Sequence, residues 1–141
     1  MSPKTRSIII AKLARLDEYL GYLKELGGYS EAQFISDHRL YGLAERYLQL
    51  SIEVLIDVAR QMIIQLNLER PDNNYEAFET LFKEKIISAS LFERLRLMAG
   101  FRNILVHDYM KIDRKIVYKA LRGNIKDFAL FRTAVIKKME R

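Results

Sequence analysis

The stretch RNILVHDY, residues 102 to 109, brings Arg102, Asn103, His107, Asp108 and Tyr109 together in a chain of 141 residues with only two histidines. Histidine titrates near neutrality and can move the proton of a ribose 2′-hydroxyl, while a guanidinium can hold a phosphate that gains charge in the transition state. Together they could cleave a phosphodiester bond without a metal ion. On a continuous helix Asn103 and His107, four residues apart, share a face. Arg102 and His107 diverge by about 140°, at ~100° per residue. The pair can converge only through the reach of the arginine side chain, a break near the helix end, or a second subunit. The plainer reading makes His107 a helix-end histidine and Arg102 an ion-pair donor. Tyr109, seven residues after Arg102, is either a packing aromatic on nearly the same stripe or a hydroxyl able to accept a modifying group. Spacing leaves these alternatives open.

The element that carries this stretch begins at Ser88, a helix cap followed by the apolar stripe Leu91, Leu95, Met98, Ala99, Leu105 and Val106. RNILVHDY lies at its C-terminal end. An earlier helix, capped by Ser36-Asp37 and running to about Asn67, is apolar around most of its circumference from Leu40 to Leu66. Its polar strip is narrow: Gln49, Glu53, Asp57 and Arg60 or Gln61. A central, nearly buried helix cannot leave carboxylates unpaired in its packed faces, because an uncompensated buried charge is expensive. Glu53 and Asp57 therefore either salt-bridge to Arg46, Arg60 or another helix, or stand behind Arg102 or His107 and orient them. The other histidine, His38, falls at the start of this helix beside Arg39, where a capping or surface role is expected.

The remaining pattern is also helical. Ser2-Pro3 opens a helix whose apolar residues Ile9, Leu13, Leu16, Leu20 and Leu23 recur every three or four positions, and Gly27-Gly28 is expected to end it in the left-handed conformation. Ser30 and Gln33 fit a capping box over a short turn. Residues 70–74, RPDNN, form a loop before a short helix marked by Ala77, Phe78, Leu81 and Phe82. Asp113 caps a segment through Leu121, and Asn124 restarts a last helix through Phe128, Phe131, Val135 and Met139. No useful period-2 run suggests a strand. The expected architecture is an all-α antiparallel bundle of about five helices, a single domain over residues 1–141.

Composition narrows the chemistry further. Hydrophobic residues make up 50% and charged residues 30% of the chain, a balance that folds. Without cysteine there are no disulfides and no Cys-based metal sites, so no metal or cofactor is expected and a reducing cytoplasm fits. The N-terminus reads as mature helix, and no apolar run of ~18 residues suggests a membrane span. Net charge is +6, and it is concentrated: from residue 111 onward ten Lys or Arg face three acids. That end could attract a phosphate backbone or an acidic partner, or simply be a solvated face. Gly-rich phosphate loops, zincin motifs and serine-nucleophile elbows are absent.

The segment MAGFRNILVHDYMKID, residues 98–113, closely resembles the diagnostic segment of the HepT-like proteins of the HEPN superfamily. The superfamily signature is an Arg, a short spacer and a His, which Arg102, Asn-Ile-Leu-Val and His107 fit. The HepT-like extension, a Tyr two places after the His, is met by Tyr109. ERYLQLSIEVLIDVARQMI is similar to that family's long second helix, and RPDNNYEAFETLFKEKIIS to the loop and short helix before the motif. The resemblance implies an all-α homodimer with the motif segments near its two-fold interface, and a metal-independent ribonuclease using Arg102 and His107 with Asn103 in support. It further implies a toxin whose antitoxin, a minimal nucleotidyltransferase, transfers AMP from ATP to Tyr109. Bulk and negative charge there would compete with RNA for Arg102. The alternative is a non-catalytic module that binds a nucleotidyltransferase or a nucleotide through the same surface.

Overall fold

In a computed structural model, which describes residues 1–140 and every side chain among them except that of Tyr109, the chain folds into seven α-helices with no strand among the described residues. They are α1 (Pro3–Leu26), α2 (Glu31–Ser36), α3 (His38–Gln65), α4 (Asn74–Lys83), α5 (Ala89–His107), α6 (Arg114–Gly123) and α7 (Ile125–Met139). A 3-10 turn, Tyr109–Lys111, joins α5 to α6. The all-α architecture is the expected one. The short segments opened by Ser30 and Asn73 are helices in their own right, which raises the number above five.

Side-chain caps set most helix starts. The Ser2 hydroxyl accepts from the Thr5 amide, Ser30 and Gln33 form a reciprocal capping box, and Asp37, Asn73, Ser88 and Asp113 each accept from a first-turn amide. Helix ends depart from expectation at one point. Neither Gly27 nor Gly28 takes a positive φ, and Gly27, at φ −71°, closes α1 in a right-handed turn. Its carbonyl accepts from Arg122 of α6 at 3.0 Å, and a Cβ there would make an ordinary contact with the Leu121 side chain at 3.5 Å. The left-handed positions belong instead to Asn67 and Lys85, after α3 and α4. At each, paired backbone bonds close a Schellman motif: Leu68 N–H to the Ile63 carbonyl, and Ile86 N–H to that of Leu81.

Helix α3 packs against every other α-helix and is the axis of the bundle. Its Leu48, Ile52, Leu55, Val58, Ala59, Met62 and Ile63 are buried, as the nearly continuous apolar circumference requires. Around it, Phe34, Phe78, Phe128 and Phe131 are completely buried, with Phe78 edge-on to Phe131. Each large side chain so buried contributes about 1.5–3 kcal/mol by removal of apolar surface from water. Helix α5 lies against α3, α4 and α7, which fixes the helix that carries the polar stretch at its end. No helix among the described residues is long and apolar enough to cross a membrane.

Candidate active site

Arg102 projects from α5 toward α3. Its Nη2 donates to Glu53 Oε1 at 3.0 Å, and the same carboxylate oxygen accepts from Gln49 Nε2 at 3.1 Å. Gln49 and Glu53, four residues apart on α3, thus use the polar strip of an otherwise buried helix to hold one guanidinium. Nη1 reaches Asn103 Oδ1 over a longer 3.4 Å, and the buried Nε has no hydrogen-bond partner among the described residues. The guanidinium is therefore fixed from behind by a charge-assisted bond, while donors remain for a second acceptor.

Helix α5 continues without a break through His107. The Asp108 amide still bonds to the Ile104 carbonyl at 3.0 Å, and only at Asp108, with ψ 43°, does the backbone leave the helix. Of the routes by which Arg102 and His107 could converge, a helix break between them is therefore ruled out. His107 is exposed at the last helical position, on the face of Asn103, whereas Arg102 turns to α3. The two lie about 7.5 Å apart along the axis and on different faces.

Asn103 is exposed on the wall of an open cleft of about 500 Å³. Arg60, Asn74, Tyr75, Arg96 and Gly100 also line it. Arg60 donates to Asn74 Oδ1 at 3.1 Å, and Arg96 pairs with Glu93. Arg96, Gly100, Asn103 and His107 follow one another at helical spacing, so the cleft and the exposed histidine share one stripe of α5. Arg60 stands in the polar strip read from the sequence; Arg96 and Tyr75 do not follow from the motif, although Arg96 is two turns before Asn103 and could be found by extending its face. On the opposite flank of α5, Leu97, Phe101 and Ile116 border a smaller apolar hollow of about 290 Å³.

The other expectations divide. Glu53 is brought to Arg102. Asp57, one turn further along α3, is not: it faces α1 and pairs with Lys12 at 3.5 Å, so it does not stand behind either motif residue. His38 is the exposed first residue of α3, remote in sequence and contact from the motif. Beside it, Asp37 is held below the usual carboxylate range by the side-chain and backbone hydrogen bonds of Arg39. The Tyr109 backbone opens the 3-10 turn rather than continuing the α5 stripe; the acceptor role expected of its side chain lies outside the described residues. Among the described residues no three His, Asp or Glu side chains gather as a metal site would need.

Comparison with known proteins gives consistent similarities. Residues 16–135 match the family model described as Ribonuclease HepT-like. The tRNA nuclease HepT of Aphanizomenon flos-aquae is 30% identical over 124 residues, which span 88% of this chain and 84% of that protein. The mRNA nuclease HepT of Shewanella oneidensis is 31% identical over 124 residues, 88% of this chain and 92% of its own. Among solved structures, the tri-AMPylated HEPN toxin of Shewanella oneidensis in complex with MNT antitoxin superposes with a TM-score of 0.86 at 30% identity, over 98% of this chain and 99% of that one.

Proposed function

The chain belongs to the HepT-like ribonuclease family, and on that premise we propose that it is a metal-independent endoribonuclease toxin, silenced when a nucleotidyltransferase antitoxin places AMP on Tyr109. The observation that carries the reading is the way Arg102 is held: anchored by Glu53 across the α3–α5 contact, with donors left over, beside the exposed Asn103, which itself lies one turn from the exposed His107. In the reaction, His107 takes the proton of a ribose 2′-hydroxyl, whose oxygen attacks the adjacent phosphorus. The bond to the 5′-oxygen breaks, and that oxygen leaves with a proton returned by the His107 imidazolium or supplied by water. Arg102 neutralises the non-bridging oxygens as they gain charge. The products are a 2′,3′-cyclic phosphate and a 5′-hydroxyl. Asn103 supports the phosphate from the same face as His107.

The divergence of Arg102 and His107 on an unbroken helix favours a homodimer in which the α5 ends of two copies meet, so that Arg102 of one copy faces His107 of the other. Modification fits the same site. The Tyr109 hydroxyl attacks the α-phosphate of ATP, pyrophosphate leaves, and the bound AMP puts a negative group two residues from His107. The protein acts as a single domain in the cytoplasm, with RNA and the antitoxin as its partners.

Two experiments test this. Purified Arg102→Ala and His107→Ala proteins, folded by circular dichroism, should neither cleave RNA nor arrest growth; cleavage by both variants would refute the assignment. A wild-type protein that binds the antitoxin and leaves varied RNAs intact would favour the non-catalytic alternative. Incubation with antitoxin and ATP should add the mass of one or more AMP groups, and retention of that gain in Tyr109→Phe would move the acceptor elsewhere.

A further inference from the structure

Helix α6 follows the motif by one short turn. Its buried side carries Val117, Tyr118 and Leu121, while Lys115 and Lys119 lie on the opposite, exposed side, one helical turn apart. Lys111 precedes them in the 3-10 turn, and Lys126 follows in the first turn of α7. Among the described residues no carboxylate lies within 4.0 Å of any of these four ammonium groups. The nearby arginines are engaged differently. Arg114 sits over the Tyr41 ring at 3.9 Å, and Arg122 donates to the Gly27 carbonyl and the Tyr118 hydroxyl. These contacts fix α6 against α1 and α3 and leave its lysines unpaired.

Local helix energetics do not account for this pattern. The first turn of α6 contains Arg114 and Lys115 and no acid, so cations stand at the end where the helix dipole disfavours them. Asp113 offsets part of this by capping the Lys115 amide at 2.9 Å. Of the exposed acids of this region, Asp108 precedes the four lysines and Asp113 lies between Lys111 and Lys115, while Asp127 is buried against Arg94. Elsewhere the basic C-terminal region is partly neutralised, as by the pair of Arg132 with Asp17. Four exposed lysines thus follow His107 within the next nineteen residues, two of them one turn apart on α6 and one, Lys119, at the rim of the apolar hollow beside Leu97 and Phe101.

We propose that Lys111, Lys115, Lys119 and Lys126 form a track for the phosphates of single-stranded RNA flanking the bond cleaved at Arg102 and His107. This rests on the ribonuclease reading and adds a substrate-binding surface to it. Lysines are point charges on flexible stems, suited to following a backbone without reading its sequence. Because the track is separate from the reacting groups, it should contribute to binding and leave the chemical step alone.

The test uses the full-length protein and a labelled 2′-O-methyl oligoribonucleotide, which cannot be cleaved because the attacking hydroxyl is blocked. Its affinity is measured by fluorescence anisotropy over a salt series for wild type, for Lys115→Gln/Lys119→Gln/Lys126→Gln, and for Lys4→Gln/Lys24→Gln/Lys137→Gln, which removes equal charge elsewhere. Loss of three phosphate contacts should lower the slope of log affinity against log salt by about 2, at ~0.7 per contact on a single strand. The control triple should keep the wild-type slope. Equal weakening in both triples, or in neither, would overturn the proposal while wild-type binding and cleavage left the ribonuclease reading standing. A wild type that neither binds nor cleaves RNA would overturn both. An unchanged RNA affinity with lost antitoxin binding would reassign the lysines to an acidic protein surface.

Discussion

Replacing Glu53 by Gln isolates the charge that holds Arg102, because the amide keeps the shape of the carboxylate and can still accept a neutral hydrogen bond. The contact is a single 3.0 Å bond between side chains that are 31% and 23% exposed. Unit charges about 4 Å apart interact by ~4 kcal/mol at an effective dielectric near 20. Solvent screening at this exposure reduces that to about 1–2 kcal/mol. If that energy keeps the guanidinium in the reactive orientation, the cleavage step should slow about 5- to 30-fold, at ~1.4 kcal/mol per tenfold. Single-turnover cleavage of a labelled RNA with saturating enzyme reads that step without binding. Apparent affinity should change little, and in an Arg102→Ala background Glu53→Gln should have no further effect. A single-turnover rate within about twofold of wild type, with the urea midpoint unchanged, would refute the idea that Glu53 positions Arg102.

Three further outcomes follow from the packing. Arg94→Leu should destabilise the fold by about 3–5 kcal/mol in urea titration, because it abandons the buried Asp127 carboxylate bound by Arg94 Nε at 2.7 Å; Arg94→Leu/Asp127→Leu should lose less than the single variant. Lys85→Gly should stabilise by about 0.5–1 kcal/mol by relieving a left-handed backbone at φ 60°, less the greater freedom of glycine in the unfolded chain, and thermal denaturation checks it. Burial raises the Glu45 carboxyl, with Arg114 partly opposing, so its ionised form is disfavoured in the folded state. That penalty is present above the folded pKa and disappears as pH falls below the unfolded value. Glu45→Gln should therefore raise the melting temperature at pH 7 and lose the advantage below about pH 4.

Much of this architecture is legible from local rules. Capping residues mark the helix starts, and the apolar circumference of residues 40–66 identifies α3 as the axis. Pairing is less legible, because periodicity gives the face of a residue but not what lies across from it. Glu53 and Asp57 look equivalent on the strip, yet one meets α5 and the other meets Lys12 of α1. The buried pair Arg94–Asp127 depends on how α5 and α7 pack and leaves no local signature. Glycine pairs suggest left-handed turns, but here Asn67 and Lys85 take those positions, while Gly27 closes α1 in a right-handed turn. In the motif, helical spacing correctly separates the faces of Arg102 and His107. The proposed reunion in a second copy would be a matter of assembly, which periodicity does not encode.

The most direct test of the central claim is therefore complementation between two inactive copies. Arg102→Ala and His107→Ala chains, carrying different tags, are co-expressed, the mixed dimer is purified through both tags, and RNA cleavage is measured against each variant alone. If Arg102 of one copy works with His107 of the other, the mixed dimer contains one intact site and should cleave at about half the wild-type rate per dimer, while each variant alone is inactive. A mixed dimer as inactive as its parents would contradict the shared site and require both groups to act within one chain.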